Sequence, residues 1–147
     1  MKKLISLALC GLILCCTATT TVFGENEGVA PNANSYVEAR YAEFSMVYAS
    51  LSKTSLGFYH VEGSAGTYDN DLRVDITLTI EGCNSSGNYV PIDGFKWTAS
   101  DYYAAATQAT RALSGGAYRA HTVAKCYRNG VLLETVEAYS DVVNVPF

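Results

Sequence analysis

The feature that most constrains this chain is a strict two-residue alternation between positions 72 and 81. Aliphatic and polar residues alternate there in the order Leu72, Arg73, Val74, Asp75, Ile76, Thr77, Leu78, Thr79, Ile80 and Glu81. Because successive side chains of a β-strand point to opposite faces, the pattern predicts a strand with one buried and one solvated face. A helix would spread the same aliphatic side chains around its whole circumference. The chain is therefore expected to fold around a half-buried sheet.

Further strand signals lie on both sides of this segment. Residues 118–127 are rich in β-branched and aromatic side chains, and the Asn129-Gly130 dipeptide that follows is typical of a hairpin turn. Residues 131–143 are predicted to return as the partner strand. The other predicted segments are strands at 41–50 and 56–62, a short pair at 89–90 and 94–98 around Pro91, and loops at 63–66 and 69–71.

The segment 101–112 supports two interpretations. Its alanines favour a helix, whereas its Thr and Tyr content and the neighbouring strands favour an edge strand. About seven strands at spacings of roughly 12 residues, without a long helix, indicate an all-β chain folded as an antiparallel immunoglobulin-like sandwich. Leu113 to Ala120 resembles the tyrosine corner of fibronectin type III and immunoglobulin-like domains, in which a Tyr hydroxyl ties a turn to the sheet. Tyr118 is therefore expected to be structural, as is Trp97.

The first 24 residues have the pattern of a secretory signal peptide. Lys2 and Lys3 precede a short apolar run at 4–14 and a stretch of small residues, and that run is too short to cross a bilayer, which needs roughly 20 residues. Cleavage is expected after Gly24, with a cut after Ala18 as the alternative. The predicted organisation is a signal peptide at 1–24, a flexible segment at 25–39 and a β-sandwich domain at 40–147.

Charge and cysteine content constrain the partners and the redox chemistry. The chain has 14 acidic and 10 basic residues and no basic run, so nucleic acid and anionic membranes are not expected as partners. Cys83 and Cys126 remain after cleavage, and a disulfide between them would stabilise the fold by about 3–5 kcal/mol. If segments 72–81 and 118–127 pair, however, the two cysteines lie about 26 Å apart, against the 7 Å or so that a disulfide allows. A disulfide and two separate thiols are both left open, and this geometry favours the thiols.

Residues suited to catalysis or metal binding are sparse. His121 and Cys126 are five positions apart in one predicted strand, which places them on opposite faces and argues against a Cys–His nucleophilic pair. The acidic residues at 69–71 and Asp75 could supply oxygen ligands for Ca²⁺, but acid-rich turns are routine and Asp75 belongs to a solvated strand face. We expect no enzymatic activity, no cofactor and no bound metal.

Eleven tyrosines are the one compositional excess. The functional interpretation is an aromatic binding face, and its candidate residues are Tyr68, Tyr89, Tyr102 and Tyr103. The alternative, which we favour, is that Tyr is common in secreted β-domains because it packs its ring while its hydroxyl stays in water.

The order of several motifs resembles that of small secreted proteins of unknown function from Gram-positive bacteria, over roughly residues 40–143. The motif residues are Glu81, Trp97, Gly116 with Tyr118 and Arg119, Tyr127 with Asn129 and Gly130, and Glu134 or Glu137 with Ser140. The resemblance implies export and an immunoglobulin-like sandwich. It implies no activity and no catalytic residues.

These observations predict a monomeric, non-catalytic sandwich with no membrane span, released from the cell or held at its surface. Its expected partner is an extracellular protein or glycan, bound through end loops or an aromatic edge. Two alternatives remain, a structural protein that self-assembles through edge strands or thiols, and a small secreted toxin or inhibitor.

Overall fold

The computed structural model describes residues 41–147. The signal peptide and the segment 25–39 expected from the sequence lie outside the described residues. Within 41–147, no helix is long and apolar enough to cross a membrane.

Residues 41–147 form eight β-strands in two antiparallel sheets. The strands are β1 (Phe44–Lys53), β2 (Tyr59–Thr67), β3 (Arg73–Cys83), β4 (Tyr89–Tyr102), β5 (Ala104–Arg111), β6 (Gly116–Arg128), β7 (Val131–Tyr139) and β8 (Val143–Val145). The small sheet has the order β1-β2-β5, and the large sheet has the order β4-β3-β6-β7, with β8 also paired to β6. The predicted all-β sandwich of antiparallel strands is therefore confirmed.

The alternating segment forms the centre of the large sheet. Val74, Leu78 and Ile80 of β3 are fully buried against the small sheet, and the polar residues between them face outward. Burying each such aliphatic side chain stabilises the fold by about 1.5–3 kcal/mol. β6 lies beside β3, and its alanines fill the same layer. The period-two pattern thus identified the strand at the heart of the core.

The loop predicted at 63–66 is wrong, because these residues belong to β2. Gly63 lies directly against Leu78 and Thr122 of the large sheet. A Cβ at that position would lie 2.5 Å from Thr122 Oγ1 and 3.1 Å from Leu78 Cδ1. Glycine inside a strand often marks such a close approach rather than a turn.

The segments predicted around Pro91 form one long edge strand, β4, instead of a short pair. The pairing between β3 and β4 is interrupted between the pairs Thr79–Lys96 and Glu81–Pro91, so the irregularity that suggested two segments is a bulge. The ambiguous segment 101–112 is strand: it comprises the end of β4 and the edge strand β5. The helical alternative is therefore wrong. β7 ends at Tyr139 rather than at 143, and β8 follows as a separate short strand.

The turn before β6 is held by Tyr118. Its hydroxyl lies 3.3 Å from Ser114 Oγ, and its ring packs over Gly116, whose φ of 151° favours glycine. Trp97 is partly buried against the core, with the Arg111 guanidinium 5.2 Å from the centre of its ring. Both aromatic residues thus support the sandwich.

The close approach at Gly63 yields a stability prediction. We expect Gly63→Ala to lower the free energy of unfolding by about 1–3 kcal/mol, because Leu78 and Thr122 must move to admit the methyl group. Ser64→Ala in the same strand, on its outward face, should change it by less than about 0.5 kcal/mol. Urea denaturation of both variants measures the difference, and equal effects would contradict this account of the sheet contact.

Candidate functional site

One end of the sandwich gathers the β2–β3 loop, the β4–β5 crossover and the β6–β7 hairpin. The register brings these segments together, because Arg73 at the start of β3 lies opposite both Tyr102 of β4 and Tyr127 of β6. We call this region, made of residues 68–72, Tyr102, Tyr103 and 128–130, the aromatic end.

Three of the four candidate tyrosines lie at the aromatic end and are well exposed. The exposed fractions are 67% for Tyr68, 64% for Tyr102 and 52% for Tyr103. A tyrosine that packs structurally shows its hydroxyl and hides its ring, whereas these residues present much of the ring to solvent.

Tyr103 connects the two sheets by itself. It is the single residue between β4 and β5, and its φ of 70° places it in the left-handed region, which costs a non-glycine residue roughly 1–2 kcal/mol. Its N–H donates to the Leu72 carbonyl at 2.9 Å, and its own carbonyl accepts from the Thr67 N–H at 2.9 Å and from Thr67 Oγ1 at 3.1 Å. These bonds fix the backbone from which the Tyr102 and Tyr103 side chains project.

Hydrogen bonds of Asp69 join the β2–β3 loop to the β6–β7 hairpin at the aromatic end. The Asp69 carboxylate accepts from the Arg128 guanidinium at 2.5 Å and from the Asp71 N–H at 2.9 Å. A depression of about 430 Å³ lies among these residues, Tyr102 and Asn129. The exposed Asp69–Arg128 pair stabilises the fold by less than about 1 kcal/mol, so its main effect is to orient the loop.

Tyr89, the fourth candidate, lies at the opposite end of the large sheet. Its ring packs 4.6 Å from the Arg119 guanidinium, which in turn lies 4.2 Å from the ring of Tyr139. Tyr139 stacks on His121 with ring centres 4.3 Å apart. We call the row Tyr89, Arg119, Tyr139 and His121 the stacked cluster.

The stacked cluster covers a carboxylate. Glu81 lies on the outer face of β3, yet its side chain is only 7% exposed. Arg119 Nε donates to Glu81 Oε2 at 2.7 Å, and His121 Nδ1 lies 2.9 Å from Oε1. Burial of a carboxylate is strongly unfavourable unless it is paired, and the charge-assisted hydrogen bond from Arg119 offsets that cost for Glu81. The cluster therefore has a structural explanation that needs no ligand.

The stacked cluster was not predicted from the sequence, although several of the motif residues behind the resemblance belong to it or lie beside it. Glu81 contacts Arg119, and Ser140 Oγ accepts from the Ala120 N–H at 2.8 Å. Opposite positions in the ladder, Glu81 with Arg119 and His121 with Tyr139, are the only signal that could have revealed it. That signal requires the strand register to be known.

The residues considered for catalysis and metal binding are not brought together. His121 faces outward, and Cys126 is fully buried between the sheets. Asp75 is engaged by Arg73 at 3.1 Å and by Ser100 Oγ at 2.5 Å. Among residues 41–147, no group of three or more His, Cys, Asp or Glu side chains could hold a metal ion.

Cys83 and Cys126 are both free thiols in the structure. Cys83 ends β3 and is exposed, whereas Cys126 pairs in register with Val74 at the other end of that strand. Burial raises the pKa of the Cys126 thiol. Cys126 therefore remains protonated and inert within the core.

Comparison with protein-family models, with curated proteins and with solved structures finds no match to this chain.

The stacked cluster yields a prediction on pH dependence. The hydrogen bond from the Tyr139 hydroxyl, at 2.7 Å, lowers the pKa of Glu137, and the nearby His121 adds to this effect. A carboxyl whose pKa is lowered by folding stabilises the fold above its ordinary value of 4.5, and this contribution is lost as the pH falls through the lowered pKa.

We therefore expect Glu137→Gln to destabilise the protein at neutral pH by less than about 1 kcal/mol, because the side chain is 51% exposed. The difference from the unchanged protein should shrink as the pH falls below the ordinary pKa and vanish once the pH is below the lowered pKa. Urea denaturation at several pH values measures it. A difference that stays constant with pH would show that the carboxylate charge is irrelevant.

Proposed function

We propose that this chain is an exported, non-catalytic β-sandwich of the immunoglobulin-like, fibronectin type III-like kind, which binds an extracellular protein or glycan through its aromatic end. The N-terminal cationic and apolar pattern supports export, either into the medium or to the cell surface. The motif resemblance supports an origin among Gram-positive bacteria.

Two features support the immunoglobulin-like assignment. The small sheet contains the first, second and fifth strands, and the large sheet contains the third, fourth, sixth and seventh, as expected for a Greek-key sandwich. The contact between the Tyr118 hydroxyl and Ser114 corresponds to the tyrosine corner of such domains.

The observation that carries the binding proposal is the fixed presentation of Tyr103. A bulky residue held in the left-handed region persists only where surrounding contacts enforce it, and such residues cluster at functional sites. Here three hydrogen bonds to the Tyr103 backbone, one of them from the Thr67 hydroxyl, hold an exposed ring at a loop-bearing end of the sandwich. Rigid tyrosines bind proteins and sugar faces at a low cost in conformational entropy.

The test replaces Tyr103 by glycine. Glycine suits the left-handed backbone, so Tyr103→Gly removes the ring without straining the crossover. Phe58→Ala, which removes another exposed aromatic side chain at the far end, is the matched control. The full chain, recovered after export, is passed over immobilised cell walls, mucin and host-cell extracts.

We expect saturable capture that Tyr103→Gly weakens by about fivefold or more and that Phe58→Ala leaves unchanged. Equal capture of both variants would remove the aromatic end as the binding site. If no matrix captures the protein, the binding proposal fails.

Self-assembly is the second candidate function, and exposed apolar residues on an edge strand favour it. Val131, Leu132 and Leu133 are exposed at the start of β7, which among the strands of residues 41–147 pairs with β6 alone. Apolar residues on an open strand edge promote pairing between chains. A molar mass that rises with protein concentration, or a dimer that reductant dissociates through Cys83, would support this candidate over a monomeric binder.

A further inference from the structure

The outer face of the large sheet carries a groove next to the aromatic end. Its volume is about 680 Å³, within the range of ligand sites. The side chains that line it come from β3, β4 and β6, and we call it the outer groove. Its polar and aromatic lining residues are Arg73, Asp75, Thr77, Thr98, Ser100, Lys125 and Tyr127.

The floor of the outer groove is rich in hydroxyl groups. Thr77 of β3 lies directly opposite Thr98 of β4, and Asp75 lies opposite Ser100. A hydroxyl both donates and accepts hydrogen bonds, as the hydroxyls of sugars do. Side chains of this kind on a rigid sheet suit a polyhydroxylated ligand better than an apolar one.

The two cations of the outer groove differ in how they are engaged. Arg73 is paired with Asp75 at 3.1 Å, and its guanidinium lies 4.7 Å from the centre of the Tyr127 ring. Lys125 is exposed and makes no ion pair with any residue in the described range 41–147. Asp75 lies opposite Lys125 in the ladder without forming an ion pair with it, so the two cations and this one carboxylate give the groove one net positive charge among hydroxyls, on a chain with 14 acidic and 10 basic residues.

The outer groove and the aromatic end are continuous. Tyr102 lies opposite Arg73 in the sheet, and Tyr127 directly precedes Arg128 of the hairpin. A ligand that contacts Tyr102 therefore reaches the groove without crossing other structure. An extended polymer can occupy both regions at once.

We infer that the ligand is an acidic polysaccharide that carries a carboxylate on its sugar residues, with that carboxylate at Lys125 and adjacent sugars on the hydroxyl-lined floor and the Tyr127 ring. This inference rests on the proposed binding function and names its ligand class. One free cation among hydroxyls matches a sugar acid, which combines one carboxylate with several hydroxyls. The surrounding negative charge opposes polyanions that lack such local contacts.

The test compares two polymers that differ only at the carboxyl group, which is charged in one and a neutral methyl ester in the other. Polygalacturonate and its fully methyl-esterified form are titrated with the full chain at low and at physiological salt. The variants are Lys125→Gln, Tyr103→Gly and the control Lys53→Gln, which changes an exposed lysine at the end of β1. We expect polygalacturonate to bind more tightly than the ester, Lys125→Gln to weaken that binding about tenfold, and Lys53→Gln to leave it unchanged. Added salt should weaken the binding.

Each failure has a distinct signature. Equal binding of both polymers, or equal effects of the two lysine changes, would overturn the acidic-sugar inference. If Tyr103→Gly still weakens capture on the other matrices in that case, the proposed binding function stands without the acidic-sugar inference. If Lys125→Gln weakens binding and Tyr103→Gly does not, the outer groove stands and the aromatic end is excluded. Absence of binding to polygalacturonate overturns the inference, and capture on the other matrices then decides the proposed function.

Discussion

The pairing of β3 with β6 is the constraint on which the rest of the molecule depends. Ten consecutive pairs, from Arg73–Tyr127 to Gly82–Tyr118, run along the centre of the large sheet. Because side chains alternate between faces, a slip of one residue would expose the aliphatic layer and bury Glu81, Arg119 and His121 in it. The same register fixes the aromatic end, the stacked cluster and the outer groove relative to one another. Apolar burial on one face thus positions every polar feature on the other.

The sequence predicted the parts of the fold that depend on local pattern. The alternation at 72–81 and the Asn129-Gly130 turn identified β3 and the β6–β7 hairpin correctly. The prediction failed at Gly63. Glycine is required there because Leu78 and Thr122 of the opposite sheet leave no room for a side chain, and not because the chain turns. Four candidate tyrosines could be proposed from the sequence, but the separation of Tyr89 from the other three could not. The register of β4 against β3 places Tyr89 in the stacked cluster. The left-handed backbone of Tyr103 could not be predicted either, because no local sequence pattern indicates it.

The large sheet uses its outer face in two different ways. At one end, Glu81 is closed off by arginine, histidine and two tyrosine rings, so its charge is fully engaged. Toward the other end, hydroxyls and Lys125 remain open to solvent. A substitution in the first arrangement is strongly destabilising, because removing Arg119 or His121 leaves the buried Glu81 carboxylate without one of its partners. The second can change without such a penalty, which is what a recognition surface requires.

The one-residue crossover at Tyr103 also limits how this architecture can vary in length. A residue inserted or deleted there would shift β5 against β2 by one position and turn its inward alanine outward. The β2–β3 loop has no such restriction, since extra residues there leave the ladders intact, whereas the two-residue turn at Asn129 and Gly130 sets the register of the β6–β7 hairpin. Relatives of this fold with different ligands are therefore expected to differ in the length of the β2–β3 loop, while the connection between β4 and β5 keeps a fixed length and changes only its side chain.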